Sequence, residues 1–103
     1  MDEKNRLPEH AYKFFWEIDP TKLDVSRHPS YVIERLLEYG DFPELRWLFS
    51  RFEREQIINT LKRTRNLSLR SANFWAKIFH VPSNKVKCLS KQFQQKQNRI
   101  WQR

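Results

Sequence analysis

The 103-residue chain has one glycine and one cysteine, and no aspartate or glutamate follows Glu55. A single glycine cannot build the glycine-rich loops that bind phosphates and allows few tight hairpin turns, which argues against nucleotide chemistry of that kind and against a strand-rich fold. The single cysteine, Cys88, has no partner for an internal disulfide, and because no base or second cysteine accompanies it we interpret it as a small buried or half-buried residue. No apolar run approaches the roughly 18 residues of a membrane helix and no charged-then-apolar leader opens the chain, so we expect a cytoplasmic protein with no membrane partner.

Residues with catalytic or metal-binding chemistry are also sparse. The three histidines, His10, His28 and His80, lie in separate segments, without the i, i+4 spacing or the cysteine partners of a zinc site. We interpret each of them as a surface or turn residue. Because no acid, base and nucleophile set is apparent, the sequence predicts a protein that is not an enzyme and has no catalytic residue, metal or cofactor.

The composition predicts the fold class. Hydrophobic residues make up 39% of the chain and aromatic residues 15%, enough for one modest core but not for two. We therefore expect an all-α fold, a small helical bundle of about five helices. It should form a single domain over residues 1–103, with 1–10 and 94–103 as its candidate flexible ends.

The middle of the chain carries the clearest helix signals. Pro29 suits the first turn of a helix that ends at Tyr39, with Gly40 expected as its left-handed stop. The apolar stripe of this helix consists of Val32, Ile33, Leu36 and Leu37. Asp41 and Glu44 then form a capping-box-like start for a second helix, which is apolar nearly all round and is predicted to be the central helix.

An amphipathic helix is predicted over residues 53–65, and it ends in a basic turn that suits the helix dipole. Its inward residues are Ile57, Ile58 and Leu61. Residues 66–68 then break the pattern, and Ser68 can cap the helix that follows.

Residues 66–89, NLSLRSANFWAKIFHVPSNKVKCL, have the spacing of a helix, a tight turn and a second crossing helix. A small residue, Ala76, stands where the second helix would pass over the first. Pro82 disfavours helical geometry at the residue before it, so the first helix should end by His80, where a turn glycine is common. Val86 and Leu89 would form the inward face of the second helix. This pattern predicts a helix-turn-helix-like unit near residues 69–92.

The outward face of that second helix would consist of Asn84, Lys85, Lys87, Cys88 and Lys91. A polar, basic face of this kind suits the major groove of DNA. The same spacing equally fits an ordinary helical hairpin joined by a proline-containing turn, and at the level of sequence both alternatives stay open.

Charge is distributed unevenly along the chain. Residues 1–55 hold nine Lys/Arg and twelve Asp/Glu, a net of 9 − 12 = −3, whereas residues 56–103 hold eleven Lys/Arg and no acid, a net of +11. Soluble surfaces usually mix both signs, so the basic half indicates an anionic partner. Either nucleic acid or an acidic protein would satisfy it, and binding to phosphates would weaken steeply as salt rises.

An aromatic segment lies near the start of the chain, at residues 11–18, AYKFFWEI. It is too short and too aromatic to stand free, so we expect it to lie across the helical body as part of the core. Phe14, Phe15 and Trp16 are the alternative: an exposed anchor for a partner, because aromatic residues dominate interface hot spots.

Four motifs carry a family resemblance: FFWEIDPTKLD, YVIERLLEYGD, RTRNLSLRSANFWAKIF and VPSNKVKCL. Through them the sequence, from Phe14 to Leu89, resembles an uncharacterised family of small bacterial proteins that carries a domain of unknown function. Members are often encoded beside nucleotidyltransferase-like toxins of the abortive-infection type. The resemblance implies a small partner of such a toxin, an antitoxin or its transcriptional regulator, and it supplies no site residues.

Three functions compete. The favoured one is a regulator that binds duplex DNA, with Asn84, Lys85, Lys87 and Lys91 facing the groove and Arg63, Arg65 and Arg70 contacting phosphates. The second is a protein-interaction or scaffold subunit that uses the aromatic segment and the basic half to hold an acidic partner such as a toxin. The third and weakest is an RNA or single-strand binder that stacks bases on Trp75 or Trp101. Helix-turn-helix proteins usually act as dimers, so a homodimer is compatible with the first.

Overall fold

A computed structural model describes residues 5–89 of the chain. The described residues fall into two compact units that divide after Arg54; we call them the N-terminal unit (5–54) and the basic unit (55–89). They contain four α-helices, α1 (Pro29–Tyr39), α2 (Phe42–Arg51), α3 (Arg54–Arg63) and α4 (Leu69–Ile78), together with short 3₁₀ helices and no strand. The all-α prediction is confirmed, and the single domain over 1–103 stays a prediction.

The N-terminal unit is built on α1. The predicted stripe of Val32, Ile33, Leu36 and Leu37 is buried, as an amphipathic helix of this pattern requires. The helix packs against α2, and a 3₁₀ helix, Glu9–Phe14, packs against both. The start of the described chain is held by a backbone hydrogen bond from Val25 N–H to the Asn5 carbonyl, at 2.8 Å. These contacts place the aromatic segment beside α1.

The connection between α1 and α2 differs in one respect from its prediction. Gly40 has φ −66° and ψ 143°, which is extended backbone, so its predicted left-handed conformation is wrong. Glycine is needed for space instead, since a Cβ at this position would lie 2.7 Å from the Leu36 carbonyl oxygen. The capping box is confirmed: the Glu44 side chain accepts a hydrogen bond from the Asp41 backbone N–H at 3.3 Å.

Helix α2 is not a central helix. Its buried residues are Glu44 and Leu48, while Phe42 and Phe49 are 75% and 44% exposed. The buried Glu44 carboxylate lies 2.6 Å from His10 Nδ1, and this contact satisfies an otherwise costly buried acid. Apolar composition alone therefore overstated how much of this helix is covered.

Two aspartates organise the loop that precedes α1. The Thr21 hydroxyl donates to Asp19 Oδ1 and the Ser26 hydroxyl donates to Asp24 Oδ1, each at 2.6 Å. Because these bonds favour the ionised carboxylates, they lower the pKa of both groups below the ordinary 3.8. Asp19 is the N-cap of a short 3₁₀ helix, Pro20–Lys22, which forms part of this loop.

In the basic unit, α3 and α4 each bury one stripe. Helix α3 buries Ile57, Thr60 and Leu61, and α4 buries Ala72, Trp75 and Ala76. Ser68 caps α4, accepting a hydrogen bond from the Ser71 backbone N–H at 3.2 Å, as predicted. Beyond α4 the chain forms two 3₁₀ helices, Ser83–Lys85 and Lys87–Leu89, and the second of these packs against α4.

Candidate nucleic-acid interface

The basic unit presents cations with very little counter-charge of its own. Six of its seven described Lys/Arg side chains are exposed and Lys62 is half-buried. Its one carboxylate is Glu55, because no acid follows that residue. The exposed cations are Arg63, Arg65, Arg70, Lys77, Lys85 and Lys87. These side chains are available to an anionic ligand.

The predicted phosphate contacts cluster around the connection from α3 to α4. Arg63 is the last residue of α3, Arg65 lies in the connection, and Arg70 is in the first turn of α4. All three are exposed, and the Arg63 side chain is oriented in part by an Nε–H hydrogen bond to the Asn59 carbonyl, at 3.4 Å. The three arginines therefore lie at the end of α3, in the loop that follows and at the start of α4.

Helix α4 carries a polar stripe opposite its buried face. Arg70, Asn73 and Lys77 are exposed and spaced i, i+3 and i+7, which puts them on one side of the helix. Next to this stripe, Phe74 and Ile78 are 47% and 52% exposed. The sequence interpretation missed Asn73 and Lys77, although their spacing from Arg70 was the signal that could have identified them.

The turn that follows α4 contains a residue with left-handed backbone. His80 has φ 55°, and its N–H donates to the Lys77 carbonyl at 3.3 Å. The Val81 N–H donates to the Ala76 carbonyl at 2.8 Å. This pair of bonds is the Schellman motif, in which glycine is the usual residue at the position that His80 occupies. The predicted end of the helix before His80 is confirmed.

A groove of about 560 Å³ runs beside the end of α4. One wall is the helix, through Asn73, Ala76, Lys77 and His80, and the other is the segment 81–83. The groove thus adjoins the polar stripe and combines a lysine, an amide and a serine hydroxyl, all of which can donate to phosphate oxygens.

The segment after Pro82 does not match the predicted second helix. Over 83–89 the structure has two 3₁₀ turns in place of a continuous α-helix, so the helix-turn-helix-like unit is not confirmed. Asn84, Lys85 and Lys87 are exposed as predicted, and Lys91 lies outside the described residues. The helix-turn-helix interpretation placed Cys88 on the outward face, which is wrong, whereas its interpretation as a small buried cysteine is confirmed. Its side chain is buried, and Sγ donates to the Thr64 carbonyl at 3.2 Å.

The aromatic segment divides between core and surface. Phe15 is fully buried and makes an edge contact with the Tyr31 ring at a centroid distance of 5.7 Å. The partner contact that the sequence predicted for Phe15 is therefore wrong, because its side chain is not accessible. Phe14 is half-buried, and Trp16 is 59% exposed. The structure therefore leaves Trp16, and part of Phe14, to a partner.

Arg35 fixes the exposed part of this segment to α1. Its guanidinium lies over the Trp16 ring, 4.0 Å from the centroid, and its Nε donates to the Phe14 carbonyl at 2.8 Å. The Tyr39 ring contacts Trp16 edge-on at 5.1 Å. A cation held against an aromatic face stabilises the contact, so Trp16 is presented in a defined orientation.

Trp75, the candidate base-stacking residue, is 7% exposed and stacks on the Phe79 ring at 5.8 Å. It is therefore not available to a nucleic-acid base, and Trp101 lies outside the described residues. Between residues 5 and 89 no three His, Cys, Asp or Glu side chains cluster as a metal site would need. None of the helices described is long and apolar enough to cross a bilayer.

The fold and the exposed cations define a small helical protein with a basic C-terminal unit. Residues 11–61, which are 51 of the 103 residues, match the model of a family of unknown function, DUF6922, and this segment is similar to that family. The resemblance to an uncharacterised family is confirmed, while the toxin neighbourhood stays a prediction. No curated protein matches the chain, and no solved structure does.

Proposed function

We propose that this protein is a non-enzymatic DNA-binding regulator, of the antitoxin-like kind, that contacts duplex DNA through the basic unit. The observation that carries the proposal is the exposure of six Lys/Arg side chains in a unit whose own carboxylate is Glu55 alone. An exposed arginine or lysine usually has acids nearby to moderate its charge. Here the charge is left for a ligand, and the phosphates of DNA form the densest regular array of negative charge that such a surface meets.

The experiment measures how binding to a fluorescent duplex of about 30 base pairs depends on salt, between about 50 and 200 mM. A Lys85→Glu/Lys87→Glu variant should bind more weakly, and the slope of log affinity against log salt should fall by about 2, close to 1 for each lost phosphate contact.

The matched control is Lys13→Glu/Lys22→Glu, which makes the same change in charge at exposed sites of the N-terminal unit. Its slope should match that of the wild type. Undetectable binding of the wild type at the lowest salt would contradict DNA binding itself. An equal effect of both variants would contradict the assignment of DNA binding to the basic unit.

A second candidate function is protein interaction, and a separate observation favours it. Trp16, Phe42 and Phe49 are large apolar side chains left exposed on the N-terminal unit, and aromatic residues of this kind anchor protein interfaces. In an antitoxin-like protein the two functions would coexist, with a toxin on one unit and DNA on the other. Co-purification with the neighbouring gene product tests this: Trp16→Ala and Phe42→Ala should weaken the complex, whereas Lys85→Glu/Lys87→Glu should leave it intact.

A further inference from the structure

We infer that α4 is the element that enters the major groove of duplex DNA and reads base edges, through Arg70 and Asn73. This inference rests on the proposed function. It replaces the sequence-based assignment of groove contacts to the segment after Pro82 and of Arg70 to a phosphate contact. That segment forms two 3₁₀ turns over 83–89, and each is too short to lie along a groove as a helix.

The dimensions of α4 suit the groove. An α-helix with its side chains is about 10–12 Å in diameter, which fits a major groove about 12 Å wide. The ten residues of α4 give it a length of about 15 Å. Its buried side, Ala72, Trp75 and Ala76, holds it on the basic unit, and the opposite side carries the exposed stripe of Arg70, Asn73 and Lys77. Because α4 is packed along one side and exposed and polar along the other, its polar side can enter the major groove without unfolding the basic unit.

The side chains on the stripe are suited to base recognition. Arginine pairs bidentately with guanine O6 and N7, and asparagine pairs bidentately with adenine N6 and N7. Asn73 lies between two cations on the stripe, and its amide has both a donor and an acceptor, which pairing with a base edge can use together. Phe74, 47% exposed beside the stripe, offers an apolar surface of the kind that contacts a thymine methyl group.

The groove beside the end of α4 supplies a place for the adjoining DNA backbone. Lys77 lines it together with Ser83, and Lys85 and Lys87 follow on the same segment. These groups position the duplex by its phosphates, and Arg70 and Asn73, nearer the start of α4, specify the sequence. The ligand class is therefore a duplex containing a guanine and an adenine at neighbouring positions of the bound site.

The experiment selects binding sites from a pool of duplexes with a randomised centre of about 10 base pairs, using the full-length chain. Wild type should enrich a short motif. Asn73→Ala should lose the preference at one base pair, and Arg70→Lys, which keeps the charge but loses the planar fork, should lose it at another. At each position the discrimination should fall about ten- to hundredfold.

The control is Lys85→Ala, which should lower affinity for every sequence and leave the motif unchanged, because phosphate contacts carry no base information. Circular dichroism of each variant checks that α4 is intact. Binding with no enriched motif, or a motif that Asn73→Ala leaves unaltered, would overturn the assignment to α4 while DNA binding itself stands. Failure of the wild type to bind the pool at low salt would overturn the proposed function and this inference with it.

Discussion

The left-handed backbone at His80 has a steric cost that glycine would not incur. An L-residue at φ 55° brings its Cβ close to the neighbouring carbonyl oxygen, which costs roughly 1 kcal/mol. We expect His80→Gly to raise the free energy of unfolding by up to about 1 kcal/mol, the gain being reduced by the greater freedom of glycine in the unfolded chain. Urea denaturation followed by circular dichroism measures the change.

His80→Ala is the matched control for that substitution. Alanine removes the imidazole but keeps the Cβ, so it should bring none of the gain that relief of strain would produce. If His80→Ala were as stable as His80→Gly, the backbone at this position would not be strained. The pair thus separates the conformational effect from any effect of losing the ring.

At the residue scale, sequence reasoning predicted positions better than conformations. It identified His80 as the turn residue because Pro82 forces the helix to end ahead of it. It gave Gly40 a left-handed conformation because glycine at the end of a helix usually has one. What selects Gly40 is the close approach of the Leu36 carbonyl four residues earlier, a contact set by the backbone conformation at the end of α1, which the identity of the residue does not determine.

At the junction of α1 and α2, adding a single methyl group to Gly40 should lower the stability of the fold. In Gly40→Ala the added Cβ would lie 2.7 Å from the Leu36 carbonyl oxygen and 3.3 Å from Glu44 Cβ. Relieving the overlap would shift α2 relative to α1, so we expect a loss of roughly 1–3 kcal/mol in the free energy of unfolding. The urea midpoint, with the helical content of the folded state measured alongside, provides the test.

Ser30→Ala provides the comparison, because it places alanine at an exposed position of α1 and should change stability by less than about 0.5 kcal/mol. Equal midpoints for Gly40→Ala and Ser30→Ala would mean that the junction has room for a side chain. Residue 40 would then not need to be glycine.

Elements with strong local signals were predicted well, and the segment after α4 was not. Pro29 and the stripe of α1, and the box formed by Asp41 and Glu44, are determined within a few residues. In the later segment Val86 and Leu89 have helical spacing, yet Val86 and Cys88 are the buried pair. Burial against α4 and the bond from Cys88 to Thr64 decide that conformation, and both are made with residues distant in sequence.

For the whole molecule, Cys88 is a natural reporter of cooperativity. It is the chain's only cysteine and is buried in the basic unit, so a thiol reagent should not react with it in native buffer. If the chain is the single domain that its length predicts, the thiol should become reactive at the same urea concentration at which helical circular dichroism is lost. Two steps in the dichroism curve, with thiol exposure in only one of them, would contradict a single domain.

The charge asymmetry of the whole molecule could be predicted from sequence alone, because acids and bases can be counted without coordinates. Which element presents the charge could not. The sequence assigned the groove contacts to residues after Pro82. Arg70, Asn73 and Lys77 have the spacing of one helix face, and the buried side of α4 shows that this face is exposed. The matched family segment ends at residue 61, so it does not extend to this stripe.

The boundary between the two units also offers a way to separate them. Glu53 is exposed in the short connection between α2 and α3, and after Glu55 the chain contains no further acidic residue. An endoproteinase specific for glutamate therefore has accessible sites at the boundary and none beyond it. Brief digestion should release the cationic C-terminal portion as one uncut fragment, ready for mass spectrometry or for folding trials in isolation.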